Sequence, residues 1–249
     1  MSIENPFFLK STPDGLGDNK RIFEYMASRY IREDEHWGED LDVITRSIDE
    51  LLSKKEQSLS YLDIGCGPGF HISEIAKRYR NVQVAGLDYS SRMLAEAQKK
   101  IQSENLENVR LISGDVLNLK DEEKYDLITF LNNGFGNVFR EGVVPIEIRT
   151  EVLRRIYGAL DDSGCFLLSV YDREKMPRQY GDNLRIVPEQ SDLERGDLCI
   201  EYDMAGETCK YYSHWFVVSE LRDLLREAGF RENFMERRSS RIIIHAEKT

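Results

Sequence analysis

The sequence predicts an α/β protein with a doubly wound, mostly parallel seven-stranded sheet and a small β-rich cover inserted after the fifth strand. Three features of the 249-residue chain support this prediction. Short apolar runs alternate with helical segments through the middle of the chain, as they do in βαβ units. A glycine-rich turn follows the first run. The chain closes with a helix and two strands joined tightly, which predicts one antiparallel strand near the C-terminus.

The segment before the alternating region is predicted to contain an arm and two helices. Pro6, Pro13, Gly15 and Gly17 indicate a loop or arm over about the first twenty residues. One helix is predicted over about residues 19–31, and a second follows it. The apolar positions of the second helix recur at spacings of three and four, which is the helical period. These positions are Leu41, Ile44, Ile48, Leu51 and Leu52.

The alternating region supplies the parallel strands and the helices that connect them. The predicted strands are residues 61–64, 82–87, 109–112, 125–130 and 165–171. The predicted helices between them are residues 70–79, 92–102 and 145–160. Because parallel strands need crossover connections, these helices are expected on both faces of the sheet.

After residue 171 the alternation stops. Residues 172–212 are rich in charge, proline and glycine, and within this part 198–204 and 208–216 are predicted to pair as a hairpin. Ser219 is predicted to cap a helix that Gly229 ends. Strands at about 232–237 and 242–246 follow, joined at residues 238–240.

Composition and charge limit the classes of function. The chain has 34 basic and 45 acidic residues, a formal net charge of −11, which argues against a nucleic-acid partner. No run approaches the roughly 20 apolar residues of a membrane span. The first ten residues do not resemble a signal peptide, and the four cysteines form no C-x-x-C pair. We therefore expect a cytoplasmic protein with reduced thiols and no membrane association.

The glycine-rich turn carries the main functional signal. Residues 62–70 read LDIGCGPGF, so a hydrophobic strand with an acid at its end meets three alternate glycines and then a helix. The dinucleotide pattern G-x-G-x-x-G fails because its third glycine would fall on Phe70, and no P-loop lysine follows Gly69. A carboxylate at Asp63, inside the turn, would repel a pyrophosphate but hold an ammonium group. The turn therefore favours a cofactor with a cationic, amino-acid-like end.

This segment resembles the glycine-rich motif of the class I S-adenosylmethionine-dependent methyltransferases. Acids at the ends of the second and third predicted strands, Asp88 and Asp115, agree with that family in order and spacing. The resemblance implies that Asp88 binds both ribose hydroxyls, since a carboxylate accepts two hydrogen bonds side by side. Residues 160–164 resemble the turn before the fifth strand, and the last helix and strands resemble the antiparallel end of the family's sheet.

The resemblance also implies a set of cofactor contacts, with S-adenosylhomocysteine as product. Tyr89 and Met93 would lie on the adenine, whose edge residues 114–116 would read, and Leu131 and Asn132 would lie beside the sulfonium. Tyr30 resembles a tyrosine that helps to close the cofactor site, although core packing explains it equally well. The full predicted set is Tyr30, Asp63, Gly65, Cys66, Gly67, Gly69, Asp88, Tyr89, Met93, Gly114, Asp115, Val116, Leu131 and Asn132.

The implied reaction is an in-line displacement at the donor methyl group, in which the protein aligns the reactants and excludes water. We expect no nucleophilic residue and no metal, and a general base only for a protonated amine or a hydroxyl. Residues 131–134, LNNG, lack the signatures of base-amine, cytosine-carbon and metal-dependent catechol enzymes. By resemblance, the acceptor is a small molecule methylated on N or O. RNA or protein methylation and non-catalytic cofactor binding remain alternatives.

The acceptor cover is predicted over residues 173–216, after a cofactor-binding core at 57–172. Residues 1–56 would close the cofactor site, and residues 217–249 would complete the sheet. Side chains that would line an aromatic, polar acceptor pocket are Tyr171, Asp172, Tyr211, Tyr212, His214 and Trp215. Packing on a core face is the alternative for each of them. His214 is the candidate general base because imidazole titrates near neutral pH, with Asn132 and Tyr171 as further candidates at the reacting end. The oligomeric state is not predicted.

Overall fold

The computed structural model describes residues 19–30, 37–55, 58–139, 144–175, 196–204 and 207–249. The helices in these residues are α1 (Asn19–Tyr30), α2 (Trp37–Lys54), α3 (Phe70–Arg78), α4 (Ser91–Ser103), α5 (Pro145–Ala159) and α6 (Val218–Glu227). The strands are β1 (Leu59–Ile64), β2 (Val82–Asp88), β3 (Val109–Ser113), β4 (Tyr125–Phe130), β5 (Leu160–Tyr171), β6 (Asp197–Met204), β7 (Glu207–His214), β8 (Phe230–Arg238) and β9 (Arg241–Lys248). None of these helices is both long enough and apolar enough to cross a membrane.

Seven strands form one sheet in the order β3-β2-β1-β4-β5-β9-β8. The first five are parallel, and β9 runs antiparallel to both of its neighbours. This arrangement confirms the predicted fold class and its one antiparallel strand. The strand order reverses between β1 and β4, and open α/β sheets bind ligands at such a switch point, outside the carboxyl ends of the strands.

Alternation along the strands builds a hydrophobic layer on each face of the sheet. Leu62 and Ile64 of β1 pack into the layer that α5 and α6 cover. Leu59 and Tyr61, one position out of phase, pack into the layer that contains α2, α3 and α4. Because successive side chains of a strand point to opposite faces, a continuous apolar strand fills both layers.

The cover is a separate two-stranded sheet in which β6 and β7 pair antiparallel. The predicted pairing of these two segments is confirmed, but the register runs from Asp197 opposite His214 to Met204 opposite Glu207, so Glu207 belongs to β7 and not to the connection between the predicted strands. Residues 1–18 of the predicted arm and residues 176–195 of the predicted cover lie outside the described part of the chain.

Two local predictions are wrong. Helix α6 begins at Val218, so Ser219 lies in its first turn instead of capping it, and the Glu220 carboxylate accepts the N–H of Val217 at 3.5 Å. Residues 160–164, predicted as a turn, belong to β5, where Leu160 pairs with Tyr125 before a register shift. The turn chemistry is retained locally, since Ser163 N–H donates to Asp161 Oδ1 at 3.0 Å.

Candidate active site

Three acids meet at the carboxyl edge of the sheet, on neighbouring strands. Asp63 is the penultimate residue of β1, Asp88 ends β2, and Asp115 lies two residues beyond β3. The strand register places Asp63 opposite Gly86 and Asp88 opposite Ser113. Gly114 N–H also donates to the backbone oxygen of Asp88 at 3.0 Å, which holds the backbone next to Asp115 against the end of β2. The three predicted acids therefore share one edge.

The glycine turn between β1 and α3 is fixed against β2 and leaves open space at its centre. The N–H groups of Gly65 and Cys66 both donate to Leu87 O, at 2.7 and 3.1 Å. At Gly67, where φ is +53°, an added Cβ would meet no atom of the described residues within 4 Å. At Gly69, where φ is +83°, it would lie 2.9 Å from the Cβ of Ala97 in α4. Gly69 thus permits close helix packing, and Gly67 permits close approach of a ligand.

Asp88 is buried beneath this turn with a hydrogen bond to each carboxylate oxygen. Gly67 N–H donates to Oδ2 at 2.9 Å and Ser90 N–H donates to Oδ1 at 2.8 Å. Burial raises the pKa of Asp88 above 3.8 despite these two bonds, and the charges of Asp63 and Glu24 act in the same direction. Since an ionised carboxylate has about four lone-pair sites, Asp88 can accept further hydrogen bonds.

Asp63 lies inside strand β1, not in the turn as predicted, and is 2% exposed. Its Oδ1 accepts a hydrogen bond from Thr129 Oγ1 at 2.6 Å. Its Oδ2 lies 3.7 Å from Nδ1 of His71 in α3. Thr129 in turn contacts the Tyr61 hydroxyl at 3.0 Å. Asp63 is therefore anchored from within the core. The parallel pairing of β1 with β4 places it opposite Thr129.

The predicted adenine-side residues lie around the ends of β2 and β3. Asp115 is exposed and accepts the N–H of Leu117 at 2.9 Å, so it caps the short helix Val116–Asn118. Val116 and Met93 are buried at 8% and 3% exposure. Tyr89 meets the ring of Phe23 edge to face, with ring centroids 6.3 Å apart.

Helix α1 lies across this edge and contacts both sides of it. Glu24 accepts the N–H groups of Ser91 and Arg92 at 2.7 and 3.0 Å, which caps α4 from another element. Burial opposes ionisation of Glu24, but these hydrogen bonds outweigh it and hold its pKa below 4.5. Phe23 also contacts Tyr211 of β7, with ring centroids 6.0 Å apart. Tyr30 ends α1, and its side chain lies outside the described residues.

Asn19, at the start of α1, joins the helix to the cover. Its side-chain amide accepts Tyr212 N–H at 2.7 Å and donates to Tyr212 O at 2.8 Å. The same amide donates to Asn137 O at 2.9 Å. With 6% exposure, Asn19 therefore forms a buried link between α1, β7 and the loop that follows β4. The sequence carries no motif that identifies this residue.

The loop after β4 holds two consecutive non-glycine residues in the left-handed region, with φ of 52° at Asn132 and 60° at Asn133. Asn132 N–H donates to Ser169 Oγ at 2.9 Å, and its Oδ1 accepts from Arg241. Asn133 accepts Tyr171 N–H at 3.0 Å and donates to Ser213 Oγ at 3.0 Å. Such backbone strain persists where surrounding contacts determine it, as at many active sites.

The two faces of β7 have different environments. Tyr211 contacts α1 through Phe23, and Ser213 contacts the loop after β4 through Asn133. Trp215, in phase with them just after the strand, lies against Tyr171 with ring centroids 4.8 Å apart. Tyr212 and His214 point to the opposite face. The face directed toward α1, the loop after β4 and the end of β5 therefore carries Tyr211, Ser213 and Trp215.

His214, the predicted base, is not brought to the cofactor edge. It is fully buried, its Nδ1 contacts Asp197 and its Nε2 contacts Glu220 Oε1 at 2.7 Å. Asp197 also accepts from the Tyr212 hydroxyl at 2.6 Å, and Arg149 donates to that hydroxyl at 2.9 Å. We call these five residues the buried charge cluster. Both ring nitrogens of His214 face protein carboxylates, so this side chain is occupied within the cluster.

The buried charge cluster also sets the ionisation of its members. Burial opposes ionisation of Glu220, but the hydrogen bond from His214 and the charges of His214 and Arg149 lower its pKa below 4.5. Burial raises the pKa of the Tyr212 hydroxyl well above its usual range. The sequence analysis missed Arg149, Asp197 and Glu220, which come from α5, β6 and α6.

A family model described as a methyltransferase domain matches residues 55–228. A malonyl-[acyl-carrier protein] O-methyltransferase from Ilyobacter polytropus is 28% identical over 160 residues, 62% of this chain and 53% of that protein. One from Priestia megaterium is 30% identical over 115 residues, 46% of this chain and 38% of that protein. The chain thus spans about half, or less, of the length of these curated relatives.

Solved structures show the same fold at low identity. An S-adenosylmethionine-dependent methyltransferase from Clostridium acetobutylicum superposes with a TM-score of 0.64 at 18% identity, covering 92% of this chain and 98% of that one. The DhpI–SAH complex superposes with a TM-score of 0.65 at 14% identity, covering 93% and 95%. Together with the family model, which matches most of the chain, these similarities show that the chain belongs to the class I S-adenosylmethionine-dependent methyltransferases.

Proposed function

We propose that this protein transfers a methyl group from S-adenosylmethionine to a small-molecule acceptor, at nitrogen or oxygen. One observation carries the proposal: Asp63, Asp88 and Asp115 share the carboxyl edge of the sheet, next to a glycine turn that is open at Gly67. When bound, S-adenosylmethionine supplies an activated methyl group on a positively charged sulfur.

The residues at this edge fit such a cofactor. An added Cβ at Gly67 would point into open space, so the backbone there can approach a ligand closely. Asp88, buried beside the turn, would accept the ribose hydroxyls, and Tyr89, Met93, Gly114, Asp115 and Val116 would surround the adenine. Asp63, Leu131 and Asn132 would border the amino-acid and sulfonium end, with Gly65, Cys66 and Gly69 shaping the turn. Two buried carboxylates, Asp63 and Asp88, favour a cationic ligand.

Helix α1 would close this site from above. It is attached to the adenosine side by Glu24, which caps α4, and to the cover by Asn19. These contacts would exclude water from the reacting groups, which strengthens electrostatic interactions inside the site. On this basis we propose for α1 the role that the sequence analysis expected of residues 1–56, which is to close the cofactor site.

The acceptor would lie beside Asn132 and Tyr171, under the aromatic face of β7. Tyr211 and Trp215 supply aromatic surface there, and Ser213 fixes the loop after β4 through Asn133. We do not assign the base to His214, because both of its ring nitrogens contact carboxylates inside the buried charge cluster. We propose instead that His214 holds the cover in place, and that Tyr171 orients the acceptor, with Asn132 lying beside it.

A small acceptor is supported by three observations. The cover strand β7 packs against both α1 and the loop after β4, which encloses the edge. The net charge of −11 disfavours an RNA substrate. Of the curated relatives, a probable (S)-tetrahydroprotoberberine N-methyltransferase from Papaver bracteatum, 30% identical over 96 residues, is named for a small molecule, whereas the O-methyltransferases are named for malonyl-[acyl-carrier protein].

The test is a transfer assay with S-adenosylmethionine carrying an isotopically labelled methyl group. The protein is incubated separately with a small-metabolite extract, total RNA and a protein extract, and mass analysis locates the label. We expect label in a small molecule, absent when Asp88→Ala protein is used. Label in RNA or protein alone would refute the acceptor class, and no transfer to any pool despite cofactor binding would favour a non-catalytic binder.

A further inference from the structure

Arg241 opens β9 at the carboxyl edge of the sheet and is buried beside the loop after β4. The residue is 5% exposed, and it lies opposite Tyr171 of β5. One terminal nitrogen, Nη1, donates to Asp40 Oδ2 at 2.6 Å and to Asn132 Oδ1 at 2.9 Å. Asp40, in α2, is 1% exposed. Neither charged residue has a role in the function proposed above.

This buried ion pair fixes the orientation of the Asn132 amide. A guanidinium only donates hydrogen bonds, so Arg241 can face the oxygen of the amide but not its nitrogen. Asp40 holds Arg241 in place, because separating a buried pair would leave a charge uncompensated. The backbone of Asn132 is fixed as well, by the bond from its N–H to Ser169 Oγ and by its left-handed φ of 52°.

The nitrogen of the same amide is available to a ligand. In the described part of the chain, Asn132 Nδ2 makes no hydrogen bond, and the residue is partly exposed. An amide nitrogen carries two N–H donors, and donors in a partly buried position recognise oxygen atoms of a ligand. By binding the amide oxygen, Arg241 orients Asn132 so that the two N–H donors of the amide point away from the guanidinium.

The strand pairing indicates which end of the cofactor these donors meet. Strand β4 pairs with β1, with Phe130 opposite Ile64, so Asn132 and the glycine turn follow paired strand ends. Asp88 and Asp115 lie on the other side of β1, at the ends of β2 and β3. If the latter bind the adenosine, the Asn132 amide borders the amino-acid end, where the carboxylate offers oxygen acceptors.

We propose that Arg241 is a positioning residue, held by Asp40, which orients the Asn132 amide so that its N–H groups bind the α-carboxylate of the cofactor. The proposal rests on the proposed function. The methyl acceptor is the competing ligand for the same donors. Two nucleosides separate these possibilities: S-adenosylhomocysteine has the amino-acid tail, and 5′-methylthioadenosine has the same adenosine and thioether without it.

The experiment measures the dissociation constants of both nucleosides by calorimetry. Asn132→Gly removes the amide and tolerates the left-handed backbone, so the fold is retained. We expect about a tenfold weaker affinity for S-adenosylhomocysteine, the effect of one hydrogen bond to a charged group, and less than about a twofold change for 5′-methylthioadenosine. Asn132→Asp keeps an oxygen for Arg241 but places a carboxylate next to the α-carboxylate of the ligand. Because the two negative charges repel each other, we expect a larger loss of affinity than in Asn132→Gly, again for S-adenosylhomocysteine alone.

The role of Arg241 is tested by the double variant Asp40→Asn/Arg241→Met, which removes both charges and leaves neither uncompensated. We expect the affinity for S-adenosylhomocysteine to fall about threefold with that for 5′-methylthioadenosine unchanged, since a mobile amide binds less well. Arg238→Met, at the end of β8 and with a more exposed side chain than Arg241, is the control and should change neither constant. Thermal unfolding verifies that each variant is folded.

Two results would overturn the proposal. Equal losses for both nucleosides would show that the residues merely support the fold, and no loss in Asn132→Gly would assign the donors to the acceptor. In either case tight binding of both nucleosides by the unaltered protein would leave the proposed function standing. If the unaltered protein binds neither nucleoside, both proposals fail together.

Discussion

The proposed adenosine side of this site, around Gly67 and Asp88, and its proposed acceptor side, around β7 and the loop after β4, are built in different ways. On the adenosine side, the decisive contacts join residues close in sequence: Gly67 with Asp88, 21 positions apart, and Asp88 with Ser90. On the acceptor side, Asn133 meets Ser213 across 80 positions, Asn19 meets Tyr212 across 193, and Asp40 meets Arg241 across 201. A local site leaves a motif in the sequence, whereas a site assembled from distant segments does not.

The two sides also use charge differently. On the adenosine side, carboxylates at strand ends accept backbone N–H groups and remain able to bind a ligand. Behind the proposed acceptor side, on the opposite face of β7, the buried charge cluster satisfies its carboxylates with His214, Tyr212 and Arg149. Substitutions on the first side should therefore change ligand affinity, and those in the cluster should change stability.

The largest expected effect is the loss of cofactor affinity in Asp88→Ala. Two hydrogen bonds to a carboxylate contribute about 1,000-fold in binding, so the dissociation constant for S-adenosylhomocysteine should rise by about that factor. Because burial raises the pKa of Asp88 above 3.8, the affinity of the unaltered protein should also fall on acidification before the pH reaches 3.8. Calorimetry between pH 7 and 4 measures both effects.

The control for Asp88→Ala is Asp162→Ala. The Asp162 side chain is fully exposed and pairs with Lys248, at the opposite end of β5 from Tyr171. We expect no change in affinity in this variant. A loss below about tenfold in Asp88→Ala would contradict the ribose assignment, since even one hydrogen bond to a charged group contributes about that much.

The common edge of the glycine turn and the three acids could be predicted from the sequence because its determinants are local. The glycines of the turn and the acids at three strand ends are spaced by strand and helix lengths, which the hydrophobic pattern also gives. The prediction for His214 shows the limit. Residue type indicated a base, but the partners of the ring, Asp197 and Glu220, come from β6 and α6, and the alternation of β7 decides which face the ring occupies.

Asn19, Arg149 and Arg241 lay beyond sequence analysis for the same reason. Each is an ordinary polar residue at the start, the middle or the edge of an element, and nothing in its neighbours in sequence marks it. Their functions depend on contacts made only after the sheet, α1 and the cover are assembled. The prediction at 160–164 failed differently: Leu160 pairs with Tyr125 and so begins β5, while residues 161–164 form an irregularity before the pairing with β4 resumes at Cys165.

The second prediction concerns the buried charge cluster. Asp197→Ala leaves His214 and Arg149 without their shared carboxylate in a fully buried position, and breaking such a cluster costs about 3 kcal/mol of unfolding free energy. Urea denaturation measures this value. Affinity for S-adenosylhomocysteine in the folded variant should change less than about twofold, since Asp197 lies on the far side of β7.

A surface pair provides the comparison for Asp197. Glu151→Gln breaks the exposed pair between Glu151 and Arg155 in α5 and should cost less than about 0.5 kcal/mol. If Asp197→Ala instead weakened cofactor binding strongly at unchanged stability, the division between the two sides would be wrong, and the cluster would belong to the ligand site.

The third prediction uses two glycines of one turn as a matched pair. Both require left-handed backbone, so an alanine at either position costs about 1 kcal/mol through strain. Gly69→Ala also places a Cβ 2.9 Å from that of Ala97, and we expect a total loss of about 2 kcal/mol in unfolding free energy. At Gly67 the Cβ meets no protein atom within 4 Å, so the additional effect should fall on cofactor affinity.

Urea denaturation and calorimetry on the two variants separate these effects. Gly69→Ala should be the less stable protein and Gly67→Ala the weaker binder of S-adenosylhomocysteine. The reverse order would mean that the open side of the turn is at Gly69, and would remove the main support for ligand approach at Gly67.

The smallest expected effect tests whether α1 belongs to the adenosine side. Glu24 has its pKa held below 4.5, so its ionised form stabilises the folded state; this contribution is fully present above about pH 5 and is lost as the pH falls through the folded-state pKa. Glu24→Gln should lower the unfolding free energy at pH 7 by about 0.5–1 kcal/mol, the usual value for a lost helix cap. Near pH 3 the difference should shrink towards zero, because the carboxyl of the unaltered protein is then also neutral.

The control is Glu96→Gln. Glu96 lies in α4, the helix that Glu24 caps, but beyond its first turn, and it should show no such pH-dependent difference, since its partner Lys99 is exposed. A difference for Glu24→Gln that persists unchanged at pH 3 would mean that the side chain acts by packing, and α1 would then be held mainly by Asn19 on the acceptor side.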